Sequence, residues 1–250
     1  LRNPDKSKLS KRKNPTSIMY YQRMGYLPEA LLNYLGRMGW SMPYEREKFS
    51  LAQMIADFDI KRVSLGGPIF DQEKLSWLNG LWIREDLTDI EFMQRMQTWV
   101  INHDFLAPIV PLIKPRVDKF SDVLPLAGFF LSGMLELTQD DLANKKLEPE
   151  QVRKALQFTL WRLETLRQWQ KEDIFAICKG MAETLDIKPK DLFATLFVVI
   201  TGTANSVSVF EAMQILGPDM SRARIRHAVD LLGGLSKKEA KRWDKEYQAL

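Results

Sequence analysis

Two lysines three residues apart, near the start of the chain, are its clearest candidates for chemistry on phosphates. Lys8 and Lys11 belong to the run Lys8-Leu9-Ser10-Lys11-Arg12, and residues 1–13 carry a net charge of +5. Ammonium groups are compact cations, so two of them on a short loop can stabilise charge that develops on phosphoryl oxygens. Residues 222–250 add +4. Such clusters at both ends favour phosphate or nucleic acid as a partner, or else form a solvated surface.

Histidine and cysteine are too scarce for zinc or histidine-based catalysis. The 250 residues contain two histidines, His103 and His227, and one cysteine, Cys178. A structural zinc site needs four ligands of mainly these types, and Ser-His or Cys-His catalysis needs a paired histidine. One cysteine also excludes an intramolecular disulfide. We therefore expect a cytoplasmic protein without a metal site.

Length and hydropathy predict a folded chain that does not cross a membrane. Hydrophobic residues make up 45% of the chain and charged residues 27%. The longest nearly apolar runs, 123–131 and 192–200, are about nine residues each, far short of the roughly 20 that a membrane helix needs. Because residue 1 is Leu and no signal peptide follows, we expect the chain to be part of a longer protein.

The elements that must position these residues are helices. Pro28, Pro149 and Pro189 suit the first helical position, where the missing N–H costs nothing. Strands are expected only in the first 90 residues, around 62–65, and no strand–helix alternation occurs, so the chain is predicted to be mainly α. Four capping boxes predict further helix starts, at Ser50 with Gln53, Thr88 with Glu91, Ser208 with Glu211 and Ser236 with Glu239.

Glycines and prolines predict where helices end and where the chain divides. A helix starting near Ser208 is predicted to end at Gly217, and Asn79-Gly80 is predicted to end an earlier one. Four prolines interrupt residues 107–128, and a polar stretch covers 138–149. We expect one boundary within the first of these stretches and a second within the other.

The run at residues 8–12 and several later blocks have the order and spacing of one known family. The dense blocks are NPTSI (14–18), GYLPEALLNYL (25–35), MGWS (38–41), VSLGGPIFD (63–71) and KLSWLNG (74–80), and thinner ones are KPR (114–116), TG (201–202) and FE (210–211). On these residues the chain resembles the C-terminal portion of bacterial-type glutamyl-tRNA synthetases. In that class I family, Lys8-Leu9-Ser10-Lys11-Arg12 fits the K-M-S-K-S pattern of a loop that contacts ATP phosphates.

The resemblance implies a fold and a function. It implies a K-M-S-K-S-type loop and stem-contact domain, with short strands, at 1–90, and two helical anticodon-binding subdomains at 91–145 and 146–250. The longer protein would attach glutamate to tRNA(Glu) with ATP and Mg²⁺, and a catalytic Rossmann half of the same polypeptide would precede this chain. We expect the chain alone to be inactive, to bind no cofactor tightly and to be monomeric, with no membrane or DNA partner.

The same resemblance assigns roles to individual residues. Lys8 and Lys11 would act on ATP phosphates, with Lys11 the residue that binds ATP. Arg116 would read the third anticodon base, with a surface arginine after a proline turn as the alternative. Phe210 would stack on an anticodon base, and its alternative is a core face with Val209 and Met213. Trp77 would stack on a ribose or base, and packing in the core between Leu75 and Leu78 is its alternative. The implied tRNA contacts are Lys74, Trp77, Arg84, Arg116, Lys179, Ser206, Val209 and Phe210.

One departure from the family pattern leaves specificity open. Many members have an arginine where this chain has Phe197, and Ser206-Val207 replaces a common Thr-Pro pair. The first two anticodon bases could therefore be recognised differently here. Some family members also glutamylate tRNA(Gln), so the resemblance leaves that activity open for the longer protein. Two other functions remain as alternatives, a stand-alone helical RNA-binding module or diverged paralogue, and a helical scaffold for protein interactions.

Overall fold

The computed structural model describes residues 1–3, 6–9, 15–204 and 206–250. These form two compact units, Leu1–Asn102 and His103–Leu250. No helix among the described residues is long and apolar enough to cross a membrane.

The first unit is built from helices joined by turns. Pro28 occupies the first position of its helix, and the predicted capping boxes at Ser50 and Thr88 both form, which confirms those helix starts. The expected strands reduce to isolated bridges in the described residues, such as Trp40 with Val63. The helices are α1 (Ile18–Arg23), α2 (Pro28–Gly36), α3 (Leu51–Asp57), α4 (Gln72–Asp86) and α5 (Asp89–Val100).

Helix α4 continues through the position where it was predicted to end. Asn79 is 9% exposed, and its Oδ1 accepts a 2.8 Å hydrogen bond from the N–H of Leu27, the residue that precedes α2. The helix packs on α2, and its Leu75 and Leu78 are fully buried. The prediction for Asn79-Gly80 was wrong because the asparagine satisfies a buried donor of another helix instead of ending its own.

The second unit is a helical bundle preceded by short helices. The helices are α6 (His103–Leu106), α7 (Val110–Ile113), α8 (Val123–Ala127), α9 (Pro149–Glu164), α10 (Lys171–Thr184), α11 (Pro189–Thr201), α12 (Val209–Leu231) and α13 (Lys237–Gln248). Helices α9 to α12 pack on one another, and Leu156, Ile174, Leu196 and Ile225 are fully buried between them.

Helix α12 bends at the predicted stop. Gly217 has φ 79° and ψ 170°, a conformation that is essentially confined to glycine, and Pro218 follows it. The chain therefore resumes a helix after the bend. The predicted cap is wrong, because the Ser208 side chain makes no capping hydrogen bond and Glu211 instead pairs with Lys171 at 3.0 Å.

Candidate nucleic-acid interface

In the first unit, one face of α4 presents three of the residues singled out from the sequence. Lys74, Trp77 and Arg84 lie within about 80° of one another around the helix, at 3.6 residues per turn. The Trp77 side chain is 45% exposed, whereas Leu75 on the opposite side is buried. The structure therefore leaves an indole ring and two cations together on one surface.

Gly80 makes room for the arginine of this face. A Cβ atom placed on Gly80 would lie 2.7 Å from Nη1 of Arg84, so the guanidinium rests directly on the backbone of the preceding turn. Trp77 is one turn further back, at i−3 from Gly80, and so belongs to the same stripe. The absence of a side chain at Gly80 thus lets the Arg84 guanidinium lie against the helix backbone, one turn from Trp77.

Lys74 is held in place by a carboxylate that it shares with an arginine. Its Nζ donates to Oε1 of Glu47 at 2.7 Å, and Arg37 pairs with the same oxygen. The hydrogen bond from Lys74, and then that from Arg37, lower the pKa of Glu47 against the opposing effect of burial. One carboxylate between two cations leaves this site net positive, which suits a phosphate.

The structure describes the first two of the five residues in the lysine loop. Lys8 is exposed, and it forms an isolated antiparallel bridge with Arg2. Leu9 is half-buried, and its backbone N–H donates to the carbonyl oxygen of Leu1 at 3.0 Å. The described part of the loop therefore contains one exposed lysine. Its backbone is fixed by the bridge with Arg2 and by the hydrogen bond of the next residue, Leu9. The other three loop residues lie outside the described residues, and their assignment to the phosphate-contacting loop stays a prediction; they are Ser10, Lys11 and Arg12.

In the second unit, two predicted residues that are 90 positions apart come into contact. Nη1 of Arg116 donates a 2.7 Å hydrogen bond to the carbonyl oxygen of Ser206, and the Ser206 hydroxyl donates to the carbonyl of Leu126 at 3.0 Å. Arg116 is exposed at the end of a 3₁₀ turn, Lys114–Arg116. One edge of the guanidinium is thus anchored to the protein while the residue remains open to solvent.

Val209 and Phe210 have different surroundings. Val209 is 1% exposed, so its side chain belongs to the core, and a direct side-chain contact with RNA is not open to it in this conformation. Phe210 is half-buried and packs edge-to-face against Phe175 at 5.2 Å and Phe193 at 5.0 Å between ring centroids. Packing therefore accounts for part of the Phe210 ring, and its assigned contact with an anticodon base stays a prediction.

Lys179 is the most loosely held of the predicted cations in this unit. Its side chain is 51% exposed, and its ion pair with Glu183 is 3.8 Å long, which makes it weak in water. Lys171, two turns earlier on α10, is paired more tightly with Glu211, and the hydrogen bond that it donates to this carboxylate raises the pKa of Lys171. Lys179 can therefore exchange its partner for a phosphate at little cost.

Sequence reasoning missed Arg224, which is buried under these segments. It is 1% exposed, and its guanidinium donates to the carbonyl oxygens of Phe129, Gly133 and Ile200. Ile200 lies six residues before Ser206, so Arg224 helps to position the chain that leads to the Arg116 contact. Its sequence neighbours are Arg222 and Arg226, and nothing in this basic run marks the middle arginine as buried.

Metal ligands do not gather in the part of the chain that the structure describes. Among those residues, no three His, Cys, Asp or Glu side chains stand close enough together to hold an ion. The single cysteine, Cys178, is buried in α10, and burial raises its thiol pKa to about 12.

A helical module that presents arginine, lysine and aromatic side chains from adjoining segments is the kind of surface that binds single-stranded RNA. The chain belongs to the anticodon binding domain family, whose model matches residues 91–229. Residues 1–77 match a second model, described as the catalytic domain of class I tRNA synthetases (E and Q).

Curated relatives agree with both matches. The chain is 66% identical over all of its 250 residues to a glutamate–tRNA ligase of Marinomonas sp., and 61% identical to one of Marinobacter nauticus. It covers 51% of each of these proteins, so it spans about half the length of the curated relatives that it matches. The resemblance to glutamyl-tRNA synthetases and the mainly helical fold are thereby confirmed.

A solved structure is also similar. A glutamate tRNA ligase from Elizabethkingia meningosepticum is 24% identical, with a TM-score of 0.47, over 93% of this chain and 50% of that one.

Proposed function

We propose that this chain is the tRNA-binding half of a glutamate–tRNA ligase that attaches glutamate to tRNA(Glu) with ATP. The α4 face with Lys74, Trp77 and Arg84 contacts the tRNA stem, and the second unit contacts the anticodon. The observation that carries the proposal is the hydrogen bond between Arg116 and Ser206. It links two segments, chosen separately from the sequence, at an exposed guanidinium in a domain of the anticodon-binding family.

In this proposal Arg116 reads the third anticodon base. That base is C in tRNA(Glu) and G in tRNA(Gln). Cytosine offers the O2 and N3 acceptors on its pairing edge, which suit a guanidinium that carries only donors. Guanine places N1–H and N2–H donors there, so donors would face donors. The anchoring bond to Ser206 supports this role, because a fixed guanidinium discriminates better than a mobile one.

The test compares glutamylation of the two tRNAs by the full-length enzyme. Arg116→Gln keeps a side chain that both donates and accepts, so we expect kcat/KM for tRNA(Glu) to fall modestly and that for tRNA(Gln) to rise relative to it. One good bidentate contact is worth roughly 1–3 kcal/mol of discrimination on the DNA scale. Lys114→Gln is the matched control, because it removes an exposed charge from the same turn. An unchanged ratio between the tRNAs in Arg116→Gln, or equal charging of both by the wild type, contradicts the proposal.

The remaining parts of the proposal concern the longer protein. ATP and Mg²⁺ would be used there, with Lys8 and Lys11 near the phosphates. The 250-residue chain by itself would not catalyse glutamate-dependent ATP–pyrophosphate exchange, and measurable exchange by the purified chain would contradict this. Ser206 supports the Arg116 site through its backbone carbonyl, which accepts the hydrogen bond. Val209 is buried at the start of α12, next to Phe210 in the sequence, and Lys179 lies on α10 of the same bundle.

A further inference from the structure

Phe175 is an exposed aromatic ring that the sequence pattern does not mark. It lies on α10 and is 42% exposed, although phenylalanine is usually buried. Its ring packs against Phe210 at 5.2 Å with an interplanar angle of 90°, and against Phe193 at 5.7 Å with 51°. Packing from two sides fixes the orientation of the ring, while nearly half of the side chain remains open to solvent.

A cation stands next to this ring. Lys179 is four residues after Phe175 on the same helix, so the two side chains are neighbours on its surface. The ion pair of Lys179 with Glu183 is 3.8 Å long, and Glu183 is itself 58% exposed. The α10 surface thus offers an apolar ring with a weakly engaged ammonium one turn away.

Phe210 connects the Phe175 ring to the segment that contacts Arg116. Ser206 accepts the bond from Arg116, and Phe210 touches Phe175. Phe210 is four positions after Ser206, so their Cα atoms are at most about 14 Å apart. The anchored guanidinium and the exposed ring therefore belong to one neighbourhood.

We propose that Phe175 is a stacking platform for an unpaired RNA base, with Lys179 engaging the phosphate beside that base. The inference rests on the proposed function and adds to it a contact residue that the family pattern did not supply. A flat ring stacks on any base, whereas the adjacent ammonium requires an anion, and a nucleotide brings both together. An apolar protein segment would leave Lys179 without a matching charge.

The division of labour within the aromatic cluster follows from exposure. Phe210 and Phe193 are half-buried and hold the platform, whereas Phe175 has the largest open surface of the three. We therefore expect the RNA base to stack mainly on Phe175, while Phe210 packs against the edge of that ring.

The experiment measures binding of the 250-residue chain to the anticodon stem-loop of tRNA(Glu). Each anticodon base in turn is replaced by 2-aminopurine, whose fluorescence is quenched when it stacks. We expect the wild type to quench one position, and Phe175→Leu to weaken binding about tenfold and restore that fluorescence, in the range of one lost base–aromatic stack. Phe175→Tyr keeps the ring and should bind like the wild type.

Matched variants separate stacking from packing and from charge. Phe193→Leu disturbs the same cluster but leaves the exposed ring in place, so binding should stay within about threefold of the wild type. Lys179→Gln should weaken binding and lower the salt dependence by about 0.7 in log–log slope, which Phe175→Leu should leave unchanged.

Each remaining outcome contradicts a specific statement. Binding of Phe175→Leu within twofold of the wild type, or an equal loss in Phe193→Leu, overturns the platform. A wild-type chain that does not bind the stem-loop overturns the proposed function as well. If the wild type binds and Arg116→Gln alters the preference between anticodons while Phe175→Leu has no effect, the function stands and only the platform fails.

Discussion

At the scale of single residues, buried polar groups decide how the second unit holds its candidate site. Arg224 donates from its guanidinium to three carbonyl oxygens, two in residues 129–133 and one at Ile200, while being 1% exposed. Buried carbonyls that lose such a donor cost about 1–3 kcal/mol each, more than the net gain from an ordinary hydrogen bond. The arginine therefore contributes mainly by preventing these losses.

We expect Arg224→Met to lower the free energy of unfolding by at least about 2 kcal/mol, because it leaves those carbonyls unpaired. Arg224→Lys should also destabilise, since a single ammonium cannot reproduce the planar fork. Arg242→Met is the control, because the pair of Arg242 with Glu150 is 3.5 Å long and more than 60% exposed, and should change stability by less than about 0.5 kcal/mol. Urea denaturation of the three variants measures this, and equal stabilities for Arg224→Met and Arg242→Met would refute the role.

Cys178 gives a second prediction at this scale. Burial raises its pKa to about 12, so at pH 8 almost none of the thiol is ionised, and its side chain is also fully shielded. Since the thiolate is the reactive form, we expect the native chain to react with Ellman's reagent about 10³-fold or more slowly than a free thiol. Addition of urea above the unfolding midpoint should release one reactive thiol. Rapid stoichiometric reaction of the native chain at pH 8 would show that Cys178 is accessible.

At the scale of elements, two glycines in helices should respond oppositely to alanine. Gly217 has φ 79° and ψ 170°, a region that L-residues avoid, whereas Gly180 lies in the interior of α10; a Cβ at either position meets nothing within 4 Å. Backbone conformation alone therefore separates them. We expect Gly217→Ala to destabilise by about 1–3 kcal/mol and Gly180→Ala to stabilise by roughly 0.5–1 kcal/mol.

Thermal or urea unfolding of both glycine variants supplies the comparison. Each variant serves as the other's control, because the chemical change is identical. Stabilisation by Gly217→Ala would mean that α12 can straighten through residue 217, and the bend would then not be fixed by glycine.

The same scale shows what the sequence could and could not predict. The caps at Ser50, Thr88 and Ser236 were predictable because every atom involved lies within one turn. The same pattern failed at Ser208, because Glu211 is drawn to Lys171 by the packing of α10 against α12. Tertiary partners are not visible in local spacing.

The candidate site shows the same limit. Arg116 and Ser206 could be found one at a time from the family pattern, but their contact depends on the fold. Trp77 resembled a core residue from its leucine neighbours, and the structure places it on the exposed side of α4. The exposure of Phe175 could not be predicted from the sequence, because next to Ile174 it resembles another apolar residue of the buried helix face.

At the scale of the whole molecule, the net charge of residues 222–250 overstates the free positive surface of that stretch. Within the basic stretch 222–250, Arg224 is buried and Arg226 pairs with Glu164, whose side chain is 8% exposed. Part of that charge therefore serves folding, and counting lysines and arginines does not locate a phosphate-binding surface. The better candidates for phosphate contacts are exposed cations with long ion pairs, such as Lys179.

This view leads to a prediction about tRNA binding by the whole chain. Lys74 and Lys179 lie in different units and pair with different carboxylates, Glu47 and Glu183. If each neutralises one phosphate, Lys74→Gln and Lys179→Gln should each lower the log–log dependence of affinity on salt by about 0.7–0.9.

Because the two sites share no partner, the loss of binding free energy in the double variant should equal the sum of the two single losses within about 0.5 kcal/mol. The measurement is the affinity for tRNA(Glu) at several salt concentrations. Lys154→Gln is the control, because Lys154 lies on α9, outside both proposed contact surfaces, and its slope should stay close to that of the wild type. Unchanged slopes in both single variants would mean that neither lysine meets a phosphate, and a double loss far from additive would mean that the two lysines act on a common contact.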